Sequence, residues 1–284
     1  MELLAPAKIN LFLRVVGRRP DGYHELCSLM CGVGLYDRLV LELGGDCNTV
    51  RCSHPDVPND ATNLALKAAN CFNQALARDT DRTPVSVAIQ LDKTIPVGAG
   101  LGGGSSDAAA VLKGLNAFHG HPFDDGRMHA LALSLGADVP FFIHGRPSLV
   151  TGIGERLSPY PGLPAMDVVL VYPGFGLSTA RVFKNLNLAL TKSKKKLRYF
   201  PFNKGSFSLT HHLHNDLESG VGDRFPAIAD VKHALIQQGA IGALMTGSGS
   251  AVFGLFADTA GASRAKAVLG QQREWQVFAT RLLA

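Results

Sequence analysis

The 284-residue sequence contains no apolar run near the roughly 20 residues that a helix needs to cross a bilayer. Its longest apolar stretches are strand-length and broken by Lys, Arg, Asp or Gly, so a helical membrane protein is excluded. The N-terminus also lacks the basic-then-apolar order of an export signal. Met1 and Glu2 lead straight into an amphipathic segment, and the expected location is cytoplasmic. Paired C-x-x-C spacings are missing as well. The five cysteines (Cys27, Cys31, Cys47, Cys52, Cys71) are odd in number and irregularly spaced, as suits free thiols better than a disulfide framework or a zinc site. No tandem repeat and no wholly disordered stretch is present. With 46% hydrophobic and 18% charged residues the chain can bury substantial cores, and its length favours two domains sharing a cleft.

A formal net charge of +5 raises the question of nucleic acid, but Lys192, Lys194, Lys195, Lys196 and Arg198 concentrate it in one short stretch. A solvated loop explains that run, so neither a nucleic-acid nor a membrane partner is expected. An anionic small substrate suits the same charge.

Alternation from Ala7 to Val16 predicts a half-buried strand, with Ile9, Leu11, Leu13 and Val15 on one face and Lys8, Asn10, Phe12 and Arg14 on the other. Strands are predicted at His24 to Val33, Arg38 to Leu43, Thr49 to Cys52 and Val85 to Leu91. Helices follow from capping residues and apolar spacing at Asn63 to Ala77, Ser105 to Phe118 and Gly126 to Leu135, the last ended by Gly136 in a left-handed cap. A short apolar strand at Val139 to Ile143 closes this half. From Asp167 the order becomes strand (Asp167 to Tyr172), helix (Pro226 to Gln238), strands (Ile241 to Met245, Ala251 to Phe256), helix (Thr259 to Gln271) and strand (Trp275 to Leu282). That β-α-β-β-α-β order is a ferredoxin-like split unit, interrupted by an excursion from Phe175 to Gly222. The domain boundary falls near Thr151-Gly152, giving residues 1–152 and 153–284.

The string PVGAGLGGGSSDAA, Pro96 to Ala109, has five glycines in seven positions and then two serines opening a helix. Glycines let successive backbone N–H groups converge without Cβ clashes, and the helix N-terminus adds partial positive charge, so the loop suits a polyphosphate. It is not a Walker loop, since no lysine follows Gly104. Gly98, Gly100 and Gly103 also satisfy the dinucleotide-binding G-x-G-x-x-G. A first strand of that fold is buried on both faces, whereas Val85 to Leu91 alternates with Ser86 and Gln90, as a one-sided sheet would.

Phosphoryl transfer needs a positioned hydroxyl, a group to take or orient its proton, and positive charge near the phosphate. Asp138, in GADVPFF, and Lys8, beside Asn10 on one strand face, are the candidates; each read alone is also consistent with a cap aspartate and a solvated lysine. Thr246-Gly247-Ser248-Gly249-Ser250 is either a turn between strands or a second set of backbone donors. His211, His212 and His214 lack a carboxylate to complete a metal site and read as surface.

Three separated motifs, in order, resemble the GHMP kinases: the Lys8 strand APAKINLFL, the PVGAGLGGGSS loop and MTGSGSAVFGLF at Met245 to Phe256. RRPDGYHEL (Arg18 to Leu26), LGADVPFF (Leu135 to Phe142) and RVFKN (Arg181 to Asn185) narrow the resemblance within that family. It implies an α+β, two-domain GHMP kinase fold, with an N-terminal ribosomal protein S5 domain 2-like domain and a C-terminal ferredoxin-like domain. The implied activity is transfer of the ATP γ-phosphate to the 2-hydroxyl of a methylerythritol carried on cytidine diphosphate, in isoprenoid precursor synthesis. Asp138 is then base or orienter, Lys8 supports the hydroxyl, and Asn10 helps hold the substrate. Tyr23 and Phe183 would sandwich the cytosine, with His24 and Lys184 reading its edge and Thr179 nearby. Asn63, Leu64 and Lys93 would border the adenine, and Pro96, Val97, Gly98, Ala99, Gly100, Leu101, Gly102, Gly103, Gly104, Ser105 and Ser106 the phosphates. Mg²⁺ is implied with ATP, yet the helix glutamate that holds it in many such kinases has no obvious counterpart, so its ligands stay unassigned. A GHMP kinase for another small alcohol and a non-catalytic ATP-binding sensor are the alternatives.

Overall fold

The computed structural model describes residues 1–186, 212–221 and 224–284, so the basic run at 192–198 and His211 lie outside the described residues. The chain forms two compact units. The first comprises Met1–Ala7, Leu35–Val97 and Gly102–Gly145; the second comprises Lys8–Gly34, Gly98–Leu101 and Arg146–Ala284. Two long strands, β1 (Glu2–Arg18) and β2 (His24–Leu43), contribute residues to both.

In the first unit β4 (Val87–Asp92) pairs antiparallel with β2 and parallel with β3 (Thr49–Cys52). Val87, Ile89 and Leu91 are buried while Gln90 and Asp92 are exposed, which is the one-sided sheet that the alternation predicts. Helices α1 (Leu64–Asp79), α2 (Gly103–Phe118), α3 (Asp125–Leu135) and α4 (Val139–His144) pack together in this unit, with Phe72, Leu76, Leu112 and Leu115 fully buried. Asn63 caps α1 by accepting from Ala65 N at 2.9 Å, and Asp124 caps α3 by accepting from Arg127 N at 2.8 Å.

Two local expectations are corrected here. Val139 to Ile143 is helical rather than a strand: a buried apolar run of five has no distinguishing period, and Pro140, in the first turn, is pre-set for a helix start. Gly136 ends α3 with φ 166°, an extended conformation open to any residue, instead of a left-handed cap.

In the second unit β7 (Asp167–Tyr172), β9 (Gly242–Met245), β10 (Val252–Phe256) and β11 (Gln276–Leu283) form an antiparallel sheet in the order β11-β7-β10-β9. Helices α7 (Pro226–Gln237) and α8 (Thr259–Leu269) pack on it, completing the ferredoxin-like split unit. Between β7 and α7 lie α5 (Thr179–Lys184), β8 (His214–Asn215) and α6 (Glu218–Val221). The hairpin β5 (Ser148–Gly152) and β6 (Arg156–Pro159) pairs with β2, and β8 runs parallel to β1 at Phe12↔His214 and Leu13↔Asn215. The core gathers Leu13, Val15, Val169, Val171, Val231, Leu235, Met245, Val252 and Phe256.

Candidate active site

Lys8 and Asn10 share one side of β1, as the two-residue period requires, but that side is not solvated. They are only 4% and 3% exposed, so the strand is buried on both faces along this stretch, contrary to the half-buried reading. A lysine survives burial when its ammonium finds acceptors. Lys8 Nζ donates to Asn10 Oδ1 at 2.7 Å, Asn10 Nδ2 donates to Ser28 Oγ at 2.8 Å, and Ser28 Oγ donates to the Phe12 carbonyl at 2.6 Å. The Asn10 backbone N–H reaches Thr246 Oγ1 at 3.1 Å.

Part of the glycine loop belongs to the same unit. Lys8 N donates to the Leu101 carbonyl at 2.9 Å, Leu177 N to Gly98 O at 3.1 Å, and Ala251 N to Ala99 O at 3.1 Å. The sequence left the Thr246 to Ser250 motif open between turn and donor roles. It is a turn packed directly on Gly98–Leu101. Gly100 has φ +79°, and a Cβ there would collide with the Thr246 carbonyl and stand 2.9 Å from Gly249 N. Gly247, φ +55°, leaves room for the lysine: a Cβ would come within 3.3 Å of Lys8 Nζ. Asn215 holds the turn, donating to the carbonyls of Met245 and Gly247, each at 2.8 Å.

In the first unit Gly102 takes the left-handed N-cap position of α2 at φ 74°, and the helix begins at Gly103, two residues before the serines. Its first-turn N–H groups have no acceptor within the helix, which is the physical basis for an anion site. Lys93 lies beneath this turn in a buried ion cluster. Its ammonium meets Asp37 Oδ2 and, at 2.7 Å, Asp107 Oδ2, with the three side chains 4%, 0% and 3% exposed. Asp37 Oδ1 also accepts from Thr94 N at 2.6 Å and Ile95 N at 2.8 Å. Gly103 lies close over the cluster: a Cβ there would sit 3.0 Å from Lys93 Nζ and 3.2 Å from Asp37 Oδ2. Burial pushes the Asp107 carboxyl up to about 7 despite Lys93, with Asp37 adding to the rise. Burial alone would depress Lys93; its two carboxylates outweigh that and raise it. Asp107 Oδ1 and Ser106 Oγ are buried without hydrogen-bond partners among the protein atoms.

Among the adenine candidates, Asn63 commits Oδ1 to Ala65 N and Nδ2 to the Pro58 carbonyl, while Leu64, half-buried, opens α1. Asp138 is half-buried at the N-cap of α4, just after the α3 terminus.

The base-reading candidates all fall in the second unit. Tyr23 is 61% exposed in the turn before β2, where its N–H is held by Asp21 Oδ1 at 3.1 Å. Phe183, on α5, stacks on His24 with ring centroids 5.0 Å apart. Burial, then the charge of Arg18, lowers the His24 pKa, and its Nε2 is buried without a partner. Thr179 Oγ1 meets Ser248 Oγ at 2.8 Å, and Lys184 is exposed at the end of α5. Sequence reasoning missed Ser28, Asp37, Asp107 and Asn215. Asp37, an acid set among apolar residues in GLYDRLV, carried the one local signal.

Family models described as the GHMP kinases N terminal domain and GHMP kinases C terminal match residues 63–146 and 202–273. The chain is similar to the 4-diphosphocytidyl-2-C-methyl-D-erythritol kinase of Syntrophotalea carbinolica, at 46% identity over 98% of this chain and 97% of that one. It is similar to the protein of the same name from Geobacter sp. strain M21, at 43% identity over 100% and 99%. A crystal structure of 4-(cytidine 5'-diphospho)-2C-methyl-D-erythritol kinase superposes with a TM-score of 0.79 at 37% identity, covering 99% of each chain.

Proposed function

This chain belongs to the GHMP kinase family, among its 4-diphosphocytidyl-2-C-methyl-D-erythritol kinases, and from that membership we propose that it transfers the γ-phosphate of ATP to the 2-hydroxyl of 4-diphosphocytidyl-2-C-methyl-D-erythritol in the non-mevalonate isoprenoid route. The observation that carries the reading is the buried Lys8–Asn10 pair held against Gly98–Leu101. A cation is kept there at low dielectric beside a loop shaped for phosphate, and charge developing on a transferred phosphoryl group is best stabilised by such preorganised donors.

In this reading Lys8 supports the acceptor hydroxyl and the developing charge, and Asn10 orients Lys8 and contributes to the substrate site. Asp138 takes or orients the hydroxyl proton. The N-terminal turn of α2, from Gly102 to Ser106, receives the ATP phosphates, with Pro96 and Val97 leading into the loop and Asn63, Leu64 and Lys93 bordering the adenine. Asn63 and Lys93 act by shape, since their polar ends are already engaged. Tyr23, Phe183 and His24 offer π-faces to the cytosine, with Lys184 and Thr179 at its polar edge. Mg²⁺ accompanies ATP. The Ser106 hydroxyl, buried and without a hydrogen-bond partner among the protein atoms, would be the side chain that holds it, the other positions falling to phosphate and water. Such an ion supplies charge neutralisation along the phosphates. The family-model matches at residues 63–146 and 202–273 lie on either side of the domain boundary proposed near residue 152.

ADP release with ATP, Mg²⁺ and the cytidyl substrate, beside homoserine and mevalonate as acceptors, tests the proposal. Release confined to the cytidyl substrate is expected. Turnover of another acceptor instead would discard the cytosine assignments, and no ADP with any acceptor would favour an ATP-binding sensor.

A further inference from the structure

We propose that Ser28 is a positioning residue for phosphoryl transfer, fixing the Asn10 side-chain amide in the one orientation that presents its oxygen to the Lys8 ammonium. The inference rests on the functional reading above for Lys8 and Asn10. It starts from a count of protons. A serine hydroxyl has one hydrogen to give. At Ser28 that hydrogen goes to the Phe12 carbonyl, 2.6 Å away, which can only accept. Towards Asn10 the hydroxyl is therefore an acceptor, and Nδ2 must face it, as it does at 2.8 Å.

With Nδ2 committed, Oδ1 has one direction left, and Lys8 Nζ lies along it at 2.7 Å. A flipped amide would oppose Oδ1 to a hydroxyl with no hydrogen left, and its NH₂ to an ammonium that has only donors. Both contacts would be lost at once. Water offers no substitute, because Lys8, Asn10 and Ser28 are 4%, 3% and 2% exposed. Two members of the relay are anchored to the surrounding fold. Ser28 sits in β2 opposite Val150 of β5, and the Asn10 N–H is held by Thr246 Oγ1. Sequence order hides the relay, since Ser28 stands 18 residues from Asn10 among apolar neighbours.

The test compares Ser28→Ala, Ser28→Cys and Ser28→Thr in the full chain with wild type. Cysteine keeps the volume but hydrogen-bonds poorly, so it separates packing from the relay; threonine keeps the hydroxyl. Misplacing a positioned group by about 1 Å can cost on the order of 100-fold. Ser28→Ala and Ser28→Cys are expected to lower kcat about 10- to 100-fold, with KM for ATP and for the cytidyl substrate within about two-fold, and Ser28→Thr to recover most of the loss. Wild-type kcat in Ser28→Cys, or a loss confined to KM, overturns the proposal; should Ser28→Ala not fold, the cysteine variant decides alone. The Asn10 side-chain amide resonance, assigned by its loss in Asn10→Asp, is read in the same proteins without substrate. It is expected to move in Ser28→Cys and stay in Ser28→Thr. If wild type does not phosphorylate the cytidyl substrate, the functional reading falls, while an Asn10 resonance unmoved in Ser28→Cys removes the relay itself.

Discussion

Replacing Lys93 by methionine deletes one ammonium and leaves two carboxylates, Asp37 and Asp107, buried against each other beneath the first turn of α2. Their fates differ. Asp37 keeps two backbone donors at 2.6 and 2.8 Å, whereas Asp107 Oδ1 has no hydrogen-bond partner even with Lys93 in place. Removing one partner of a buried ion pair costs about 3–5 kcal/mol, and proton uptake by Asp107 draws the value towards the lower end. The pH dependence has a definite sign. A carboxyl whose folded pKa is raised to about 7 contributes stability that is full below its unfolded value near 4 and lost as pH rises through 7. Without the lysine Asp107 is harder still to ionise, so Lys93→Met should cost more at pH 8 than at pH 6. Asp107→Asn, which removes the troublesome charge and leaves Lys93 with Asp37, should lie within about 1 kcal/mol of wild type at pH 7.5 and gain on it from pH 5 to 8. Urea denaturation checks both, the Lys93→Met midpoint falling by about 1–2 M. A Lys93→Met protein within about 1 kcal/mol of wild type, or one whose deficit ignores pH, would refute this account.

Asp138→Asn should retain ATP binding by calorimetry and lose most turnover; undiminished kcat would remove Asp138 from the mechanism. Gly100→Ala places a side chain at φ +79° against the Thr246 carbonyl and should destabilise by roughly 2 kcal/mol or more, read as a lowered thermal midpoint. An unchanged midpoint would mean that the turn and loop separate freely. His24 should titrate below the ordinary histidine value by proton NMR, and Phe183→Ala should move the midpoint upward by uncovering the ring; no movement would show that Phe183 is not what shields it.

Periodicity and capping chemistry made most elements legible, with Thr49–Cys52 and Asp167–Tyr172 read to the residue. What resisted was of one kind. The Lys8 face of β1 looked solvated because a polar residue in alternation has the same pattern whether it meets water or partners distant in sequence. The partners are Ser28, 18 residues on, and Thr246, 236 residues on. Asp107 was hidden likewise in an alanine-rich helix, its lysine 14 residues back. Val139 to Ile143 failed because five apolar residues fit either period, although Pro140 pointed to the helix. Lys8, Asn10 and Asp138 were therefore visible as residue types, but not the burial or the relay that gives the first two their orientation.

The second unit joins Lys8–Gly34 to residues beyond Arg146, and this has a consequence for biosynthesis. Thr246, which receives the Asn10 N–H, leaves the ribosome 236 residues later. At about 5–20 residues per second that interval is about 12–50 s. Throughout it, Lys8 and Asn10 travel on a strand whose turn has yet to be made. The first unit can form most of its helices while synthesis continues, but the lysine constellation closes only when the C-terminal strands arrive. Chains cut short before Thr246 are left without the hydroxyl that receives the Asn10 N–H.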